Sequence, residues 1–207
     1  MPVTPRQTIR NVVFDLGNVL IEWRLWDALH RVFPDEQAMF AALEAQGFEA
    51  WNLEQDRGRR LAEAVPPGAH PLFAEYAARI TDAHAVAIPA TVEILRRLKG
   101  QGVPCYALSN MSHEASAFMR AHHPFMSWFD GVVISAEEGV VKPDPAIYRL
   151  TARRYDLSPA ETLFIDDRPD NIAAAMAEGW DGILFTSPEA LRDELAARGL
   201  WGDEGAV

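Results

Sequence analysis

Hydrophobic positions along this chain fall into two rhythms. Five short runs, at 11–15, 103–109, 131–135, 162–166 and 182–186, are nearly continuous in apolar residues and end on a polar or small one. The first reads Asn-Val-Val-Phe-Asp and the fourth Thr-Leu-Phe-Ile-Asp. Such runs, rich in β-branched and aromatic residues and without strict alternation, are how strands buried on both faces read. The segments between them carry the other rhythm. Pro89 opens a stretch with Val92, Ile94, Leu95 and Leu98 on one side, closed by Gly100 and Gly102. Pro169 opens another with Ile172, Ala173, Met176 and Ala177 at helical spacing and Gly179 as a stop. Proline at the start and glycine past the end are helix punctuation, and 144–155 and 188–198 read the same way. Strand and helix alternate from about 89 to 198, which predicts βαβ units and a mainly parallel sheet.

Residues 23–87 break the alternation. Helix-like stretches fall at 26–33, 35–46, 49–55, 59–65 and 71–85, with no convincing strand; 48–51 is the weakest point of that reading. The expectation is an α/β fold with a Rossmann-like parallel sheet core and an inserted α-helical cap. Residues 1–22 and 88–207 would form the core and 23–87 the cap. Both ends, 1–8 and 202–207, are expected to fray.

Composition narrows the function. The 207 residues are 49 % hydrophobic and 24 % charged, the profile of a soluble globular protein. Lys+Arg 19 against Asp+Glu 30 gives a net charge of −11, which argues against a nucleic acid or an anionic membrane as partner. Cys105 is the single cysteine, which fits a reducing compartment. The first six residues lack a signal-peptide apolar run, and no stretch approaches the roughly 18 apolar residues of a membrane span. The expected location is cytoplasmic, and the expected state a monomer or homodimer.

Ligands of an open parallel sheet bind at the carboxyl ends of its strands. Asp15, Ser109-Asn110, Ser135 and Asp166-Asp167 stand there, and Lys142 follows the third strand. Two like charges about 4 Å apart repel by roughly 4 kcal/mol at an effective dielectric near 20. Three clustered aspartates therefore need a divalent cation, a raised pKa, or separation. An all-oxygen ligand set fits Mg²⁺, which also binds phosphate oxygens. Lys142 and Lys99 are the only lysines, which favours a specific role for the one beside the acids. No nucleophile elbow, P-loop, His-Glu-x-x-His or Cys-x-x-Cys is present.

Asp15-Leu16-Gly17-Asn18-Val19, Ser109-Asn110, Lys142-Pro143 and Asp166-Asp167 occur in the order of the four motifs of the haloacid dehalogenase (HAD) superfamily. Their gaps of 94, 33 and 24 residues resemble those of members with a helical cap between the first two motifs. The first motif is similar to that of the branch carrying Asp-x-Gly-Asn-Val, which includes bacterial α-D-glucose-1-phosphate phosphatases.

The resemblance implies a Mg²⁺-dependent phosphatase acting on a small phosphorylated metabolite, such as a sugar phosphate. Asp15 would attack phosphorus and form an aspartyl-phosphate that water hydrolyses. Mg²⁺ would sit on Asp15, the Gly17 carbonyl, Asp167, and Asp166 directly or through water. Ser109 and the Asn110 amide would hold phosphoryl oxygens, and Lys142 would neutralise charge on the phosphoryl group and Asp15. One departure matters: most family phosphatases carry a second aspartate where this chain has Gly17. Glycine cannot protonate a leaving group, and loss of a general acid costs about 10²–10⁴ in rate. Glu22, Asp56 and His113 are the acid–base candidates to replace it. Two rival expectations follow: a 2-haloacid dehalogenase, against which the paired acids speak, and a catalytically weak phosphometabolite-binding or regulatory protein. Of the remaining groups, the stretch 51–58 resembles a cap segment facing the active site, and His122-His123 reads as surface or loop.

Overall fold

The computed structural model describes residues 8–202, so the fraying expected of the two ends lies, but for Thr8 and Gly202, outside the described residues. Strands β1 (Asn11–Phe14), β2 (Cys105–Ser109), β3 (Gly131–Ile134), β4 (Thr162–Asp166) and β5 (Asp181–Leu184) form one parallel sheet in the order β3-β2-β1-β4-β5. Val13 of the central strand lies opposite Tyr106 on one side and Phe164 on the other. The chain leaves β1 toward β2 and β3, then crosses back to β4 and β5. The crevice where the order reverses lies at the carboxyl end of β1, just beyond which Asp15 stands.

Helices α1 (Leu25–Leu29), α2 (Glu36–Ala45), α3 (Phe48–Asp56), α4 (Leu61–Ala64) and α5 (Pro71–Arg79) follow β1. Helix α6 (Pro89–Gly100) leads into β2, and α7 (His113–His122) leads toward β3. Helices α8 (Ser135–Glu138) and α9 (Pro145–Tyr155) bridge β3 and β4, with α10 (Pro169–Ala177) before β5 and α11 (Pro188–Ala197) after it. The stretch at 48–51 is helical. Three predicted helices are shorter than their apolar pattern, and the first of them, at 26–33, ends at Leu29. The one at 59–65 has four residues, stopped by Pro66-Pro67 and Gly68 at φ +80°. The one at 71–85 ends at Arg79 and resumes as a 3₁₀ turn over Asp82–His84.

The helical insertion leaves and rejoins the sheet at one place. Glu22 N–H donates to Val86 O at 2.9 Å, and Ile88 N–H to Leu20 O at 2.8 Å. Its apolar residues, among them Phe48, Leu72 and Tyr76, join one continuous cluster with Val12, Phe14 and Leu95 beneath the sheet. The other sheet face packs separately around Phe164, Tyr148 and Trp180, whose rings meet edge to face at 5.7–6.0 Å. Edge-to-face pairs add about 0.5–1.5 kcal/mol each beyond their buried area.

Phe164 is fully buried at the centre of that trio. Phe164→Ala is expected to destabilise the protein by about 3–5 kcal/mol, seen as a lower urea midpoint at unchanged slope.

Candidate active site

The sheet ends bring two of the predicted acids, Asp15 and Asp166, onto the predicted ammonium of Lys142. Lys142 Nζ donates to Asp15 Oδ1 at 2.9 Å, to Asp166 Oδ2 at 2.6 Å and to the Leu108 carbonyl at 3.1 Å. Its side chain is 1 % exposed and that of Asp166 is 0 %. Burial works against the Lys142 charge, but the two carboxylates outweigh it and hold its pKa above the usual lysine value. Asn110 fixes the lysine's backbone from both sides: its Nδ2 donates to Lys142 O at 2.9 Å, and its Oδ1 accepts from Lys142 N–H at 2.7 Å. The Lys142–Pro143 peptide is cis.

Asp166 is held by more than the lysine. Its Oδ1 accepts from Arg168 N–H at 2.8 Å, and Asn171 Nδ2 reaches both its oxygens at 2.9 and 3.0 Å. Of the three clustered acids, Asp15 and Asp167 line the adjoining cavity. Burial raises the Asp15 carboxyl to about 7; Lys142 opposes the rise, and Asp166 and Asp167 add to it. Desolvation likewise raises Asp167, against a hydrogen bond from Asn18. One oxygen from each of Asp15, Asp166 and Asp167 lies within 4.8 Å of the others. Three acids cluster beside one ammonium that pairs with only two of them, the donors are all oxygen, and two of the acids face open space. That donor set fits a hard divalent cation.

Ser109 is buried where β2 meets the cavity, and the cap of α7 is Ser112, whose Oγ accepts from Ala115 N–H. Ser135 props the same loop by accepting from Met111 N–H at 3.0 Å. Gly17 lines the cavity, and a Cβ built there would meet no atom within 4 Å, so packing does not require glycine. Asn18 sits at φ +53°, a left-handed conformation that asparagine tolerates. Its Nδ2 donates to Asp167 Oδ2 at 3.2 Å and its Oδ1 accepts from Trp23 N–H at 3.1 Å, tying the acid loop to the helical insertion.

The cavity, about 990 Å³, lies between this cluster and the insertion. Asn52, Leu53 and Asp56 of α3 line it, as do Trp23, Leu25, Phe40, Leu43, Phe48, Tyr76 and Ile80. Trp51 instead packs on Phe48, Phe73 and Tyr76 and donates to Ala64 O. Of the proposed acid–base candidates, Asp56 faces the cavity, whereas Glu22 and His113 do not line it. Asp170 stands exposed at its edge. His123 departs from the surface reading: it is buried and bonded through Nε2 to His84 O at 2.9 Å. Asn171 was not singled out from sequence; its signal is an amide in the first turn of the helix after Asp166-Asp167, where it reaches back to the strand end.

Fold and site together place an aspartate–lysine cluster at the carboxyl edge of a parallel sheet, and comparison with known proteins identifies the class as a hydrolase. The family model of haloacid dehalogenase-like hydrolases matches residues 9–179, and the chain belongs to that family. It is 31 % identical over 192 residues to a sesquiterpene phosphatase of Aspergillus oryzae, covering 91 % of this chain and 95 % of that one. It is also 25 % identical over 207 residues to an (S)-2-haloacid dehalogenase of Pseudomonas putida, covering 93 % and 91 %. A HAD family enzyme of Bacteroides thetaiotaomicron, crystallised with magnesium and inorganic phosphate, shares the fold at a TM-score of 0.66 and 22 % identity, covering 86 % of this chain and 94 % of that one. No helix among the described residues is long and apolar enough to cross a membrane.

Lys142→Met leaves two buried carboxylates without their cation, and a destabilisation of about 3–5 kcal/mol is expected. The wild-type Asp15 carboxyl is raised from 3.8 to about 7, so the native state holds its proton more tightly than the unfolded chain, and the cost of ionising it grows from pH 4 to 7. Without Lys142 that window extends upward. Urea midpoints in EDTA should therefore show a larger deficit of the variant at pH 8 than at pH 5.

Proposed function

We propose that this HAD-like hydrolase is a Mg²⁺-dependent phosphatase working through an aspartyl-phosphate on Asp15, with residues 23–87 acting as a cap over the site. The observation that carries the reading is the sharing of one buried ammonium by Asp15 and Asp166 while Asp15 and Asp167 face the cavity. A monoanionic 2-haloacid gains little beside three carboxylates. A phosphate ester brings the oxygens that a hard cation takes. Asp15, Asp167 and the Gly17 carbonyl would hold Mg²⁺, with Asp166 completing the acid cluster; bound there, the ion would supply charge neutralisation for the phosphoryl oxygens. Lys142 favours the ionised form of Asp15 against its burial and aims it, Ser109 and the Asn110 amide bind phosphoryl oxygens, and Asn18 orients Asp167.

The organic part of the substrate would lie against the insertion. Trp23, Leu25, Phe40, Leu43, Phe48 and Ile80 make that wall mostly apolar. A sugar hydroxyl set against those side chains rather than against Glu44, Glu49, Asn52 or Arg57, which also line the cavity, would lose its water partners at a cost of about 1–3 kcal/mol. A phosphomonoester of an apolar alcohol fits better than the sugar phosphate suggested by the first-motif branch, in keeping with the similarity to a sesquiterpene phosphatase.

Asp15→Asn should abolish phosphate release, and EDTA should do so reversibly, with activity returning on Mg²⁺ addition. Chloride release from a 2-haloacid that survives EDTA would replace this reading with dehalogenation, and phosphate that stabilises the fold without turnover would replace it with binding. Each buried CH₂ is worth about 0.8 kcal/mol. Steady-state kinetics should thus give a kcat/KM for a long-chain alkyl monophosphate at least about tenfold above that for glucose 1-phosphate. Phe40 is 56 % exposed at the cavity wall, so Phe40→Ser should raise KM for the alkyl ester with little effect on folding.

A further inference from the structure

Cleaving an alkyl phosphate ester expels an alkoxide unless a proton reaches the oxygen as its bond to phosphorus breaks. The groups on the cavity floor are already committed. The three protons of Lys142 Nζ go to Asp15, Asp166 and Leu108 O. Asp167 accepts from Asn18, and Gly17 offers no side chain. His84 donates through Nδ1 to Ile80 O, and burial lowers its pKa, so it is a neutral ring with no second proton. Burial pushes the Tyr76 phenol above its ordinary value, which makes it a poor acid.

Asp56 is placed differently. It is the last residue of α3 and half-buried in the cavity wall, near enough to Lys142 to feel its charge. Among the described residues no cation pairs with it. Arg57 turns to Glu54, and Arg59 to Gln55 and the Trp51 carbonyl. Asn52 Nδ2 is its hydrogen-bond donor, over a long 3.4 Å. The C-terminus of a helix is also the wrong end for an anion.

The end of α3 is nevertheless pinned to the core. At Gly58, with φ +108°, a Cβ would lie 2.9 Å from Ala136 O, so only glycine lets this turn press on α8. Leu61 N–H then donates to Glu114 of α7 at 3.3 Å. A carboxyl without a cation is thus held rigidly over the site. Desolvation raises it to about 7 although Lys142 pulls the other way. Near neutral pH it can both give a proton and take one back.

We propose that Asp56, supplied by the helical insertion, is the general acid–base of this enzyme. The assignment rests on the phosphatase reading above. Asp15 attacks phosphorus, the ester P–O bond breaks, and the leaving oxygen takes its electron pair together with the Asp56 proton, departing as the alcohol. The Asp56 carboxylate then takes a proton from the incoming water as its oxygen attacks phosphorus. The bond to Asp15 breaks, and phosphate leaves with both aspartates restored.

The test compares a long-chain alkyl monophosphate, whose alkoxide needs protonation, with p-nitrophenyl phosphate, whose phenolate leaves unaided. In the wild-type enzyme the two kcat values should agree within about tenfold. Asp56→Asn should lower kcat/KM, which reports the steps up to departure of the leaving group, by about 10²–10⁴ on the alkyl ester and by less than about tenfold on the aryl ester, while slower hydrolysis of the shared aspartyl-phosphate lowers kcat on both. The retained aryl turnover reports that the variant is folded. Equal losses of kcat/KM on both esters, an undiminished alkyl kcat/KM, or a wild-type enzyme that cleaves only the aryl ester would each overturn the assignment of Asp56 and leave the phosphatase reading standing. Phosphate release from neither ester by the wild type would overturn both.

Discussion

A lysine ammonium removed from water is tolerated only where its protons are matched, and at Lys142 the matching dictates much else. Its three partners come from three places: Asp15 beyond the end of β1, the Leu108 carbonyl of β2 and Asp166 at the end of β4. Those groups meet only if the parallel strands are in register, as the pairing of Val13 with both Tyr106 and Phe164 provides. Asn110 locks the lysine's backbone, and the Phe164 ring lies 5.4 Å from the ammonium. Sheet packing and site electrostatics are therefore one construction. A shift in the strands would cost core contacts and a buried ion pair together.

The same arithmetic leaves the site with more negative than positive charge. Lys142 settles Asp166 fully and Asp15 in part, while Asp167 has a neutral amide for its partner. The surplus is what makes the cluster suitable for a hard divalent cation. Asn18 carries the acid cluster's geometry outward. It bonds Asp167 with one end of its amide and the Trp23 backbone with the other, and the Trp23 indole donates to the Tyr76 hydroxyl at 3.2 Å. The acid loop and the apolar wall are thus joined by three hydrogen bonds, so the insertion's wall is fixed relative to the acid cluster.

The Asp15–Lys142–Asp166 group was legible in the sequence because strands buried on both faces must be continuous apolar runs, and their polar ends mark the sheet edge. Helix ends at Pro89, Pro169 and Gly179 were legible because proline and glycine act through their own backbone limits. Less was legible at α4 and α5, where the apolar pattern outlasts the helices, and at His123, whose burial depends on the carbonyl of a residue 39 positions away. Asp56 could be named from sequence as one acid among three. Its distinction from Glu22 and His113 came from the direction in which α3 packs.

Local patterning determined the strands, the helices and the set of residues at the strand ends, since burial and backbone propensity act over a few neighbours. Tertiary structure alone decided which acids the lysine pairs with, which acids face the cavity, and that Asp56 stands in a mostly apolar wall with no cation beside it among the described residues. Charge and desolvation act through space. Their sign at any residue is set by groups that the chain brings close only when it folds.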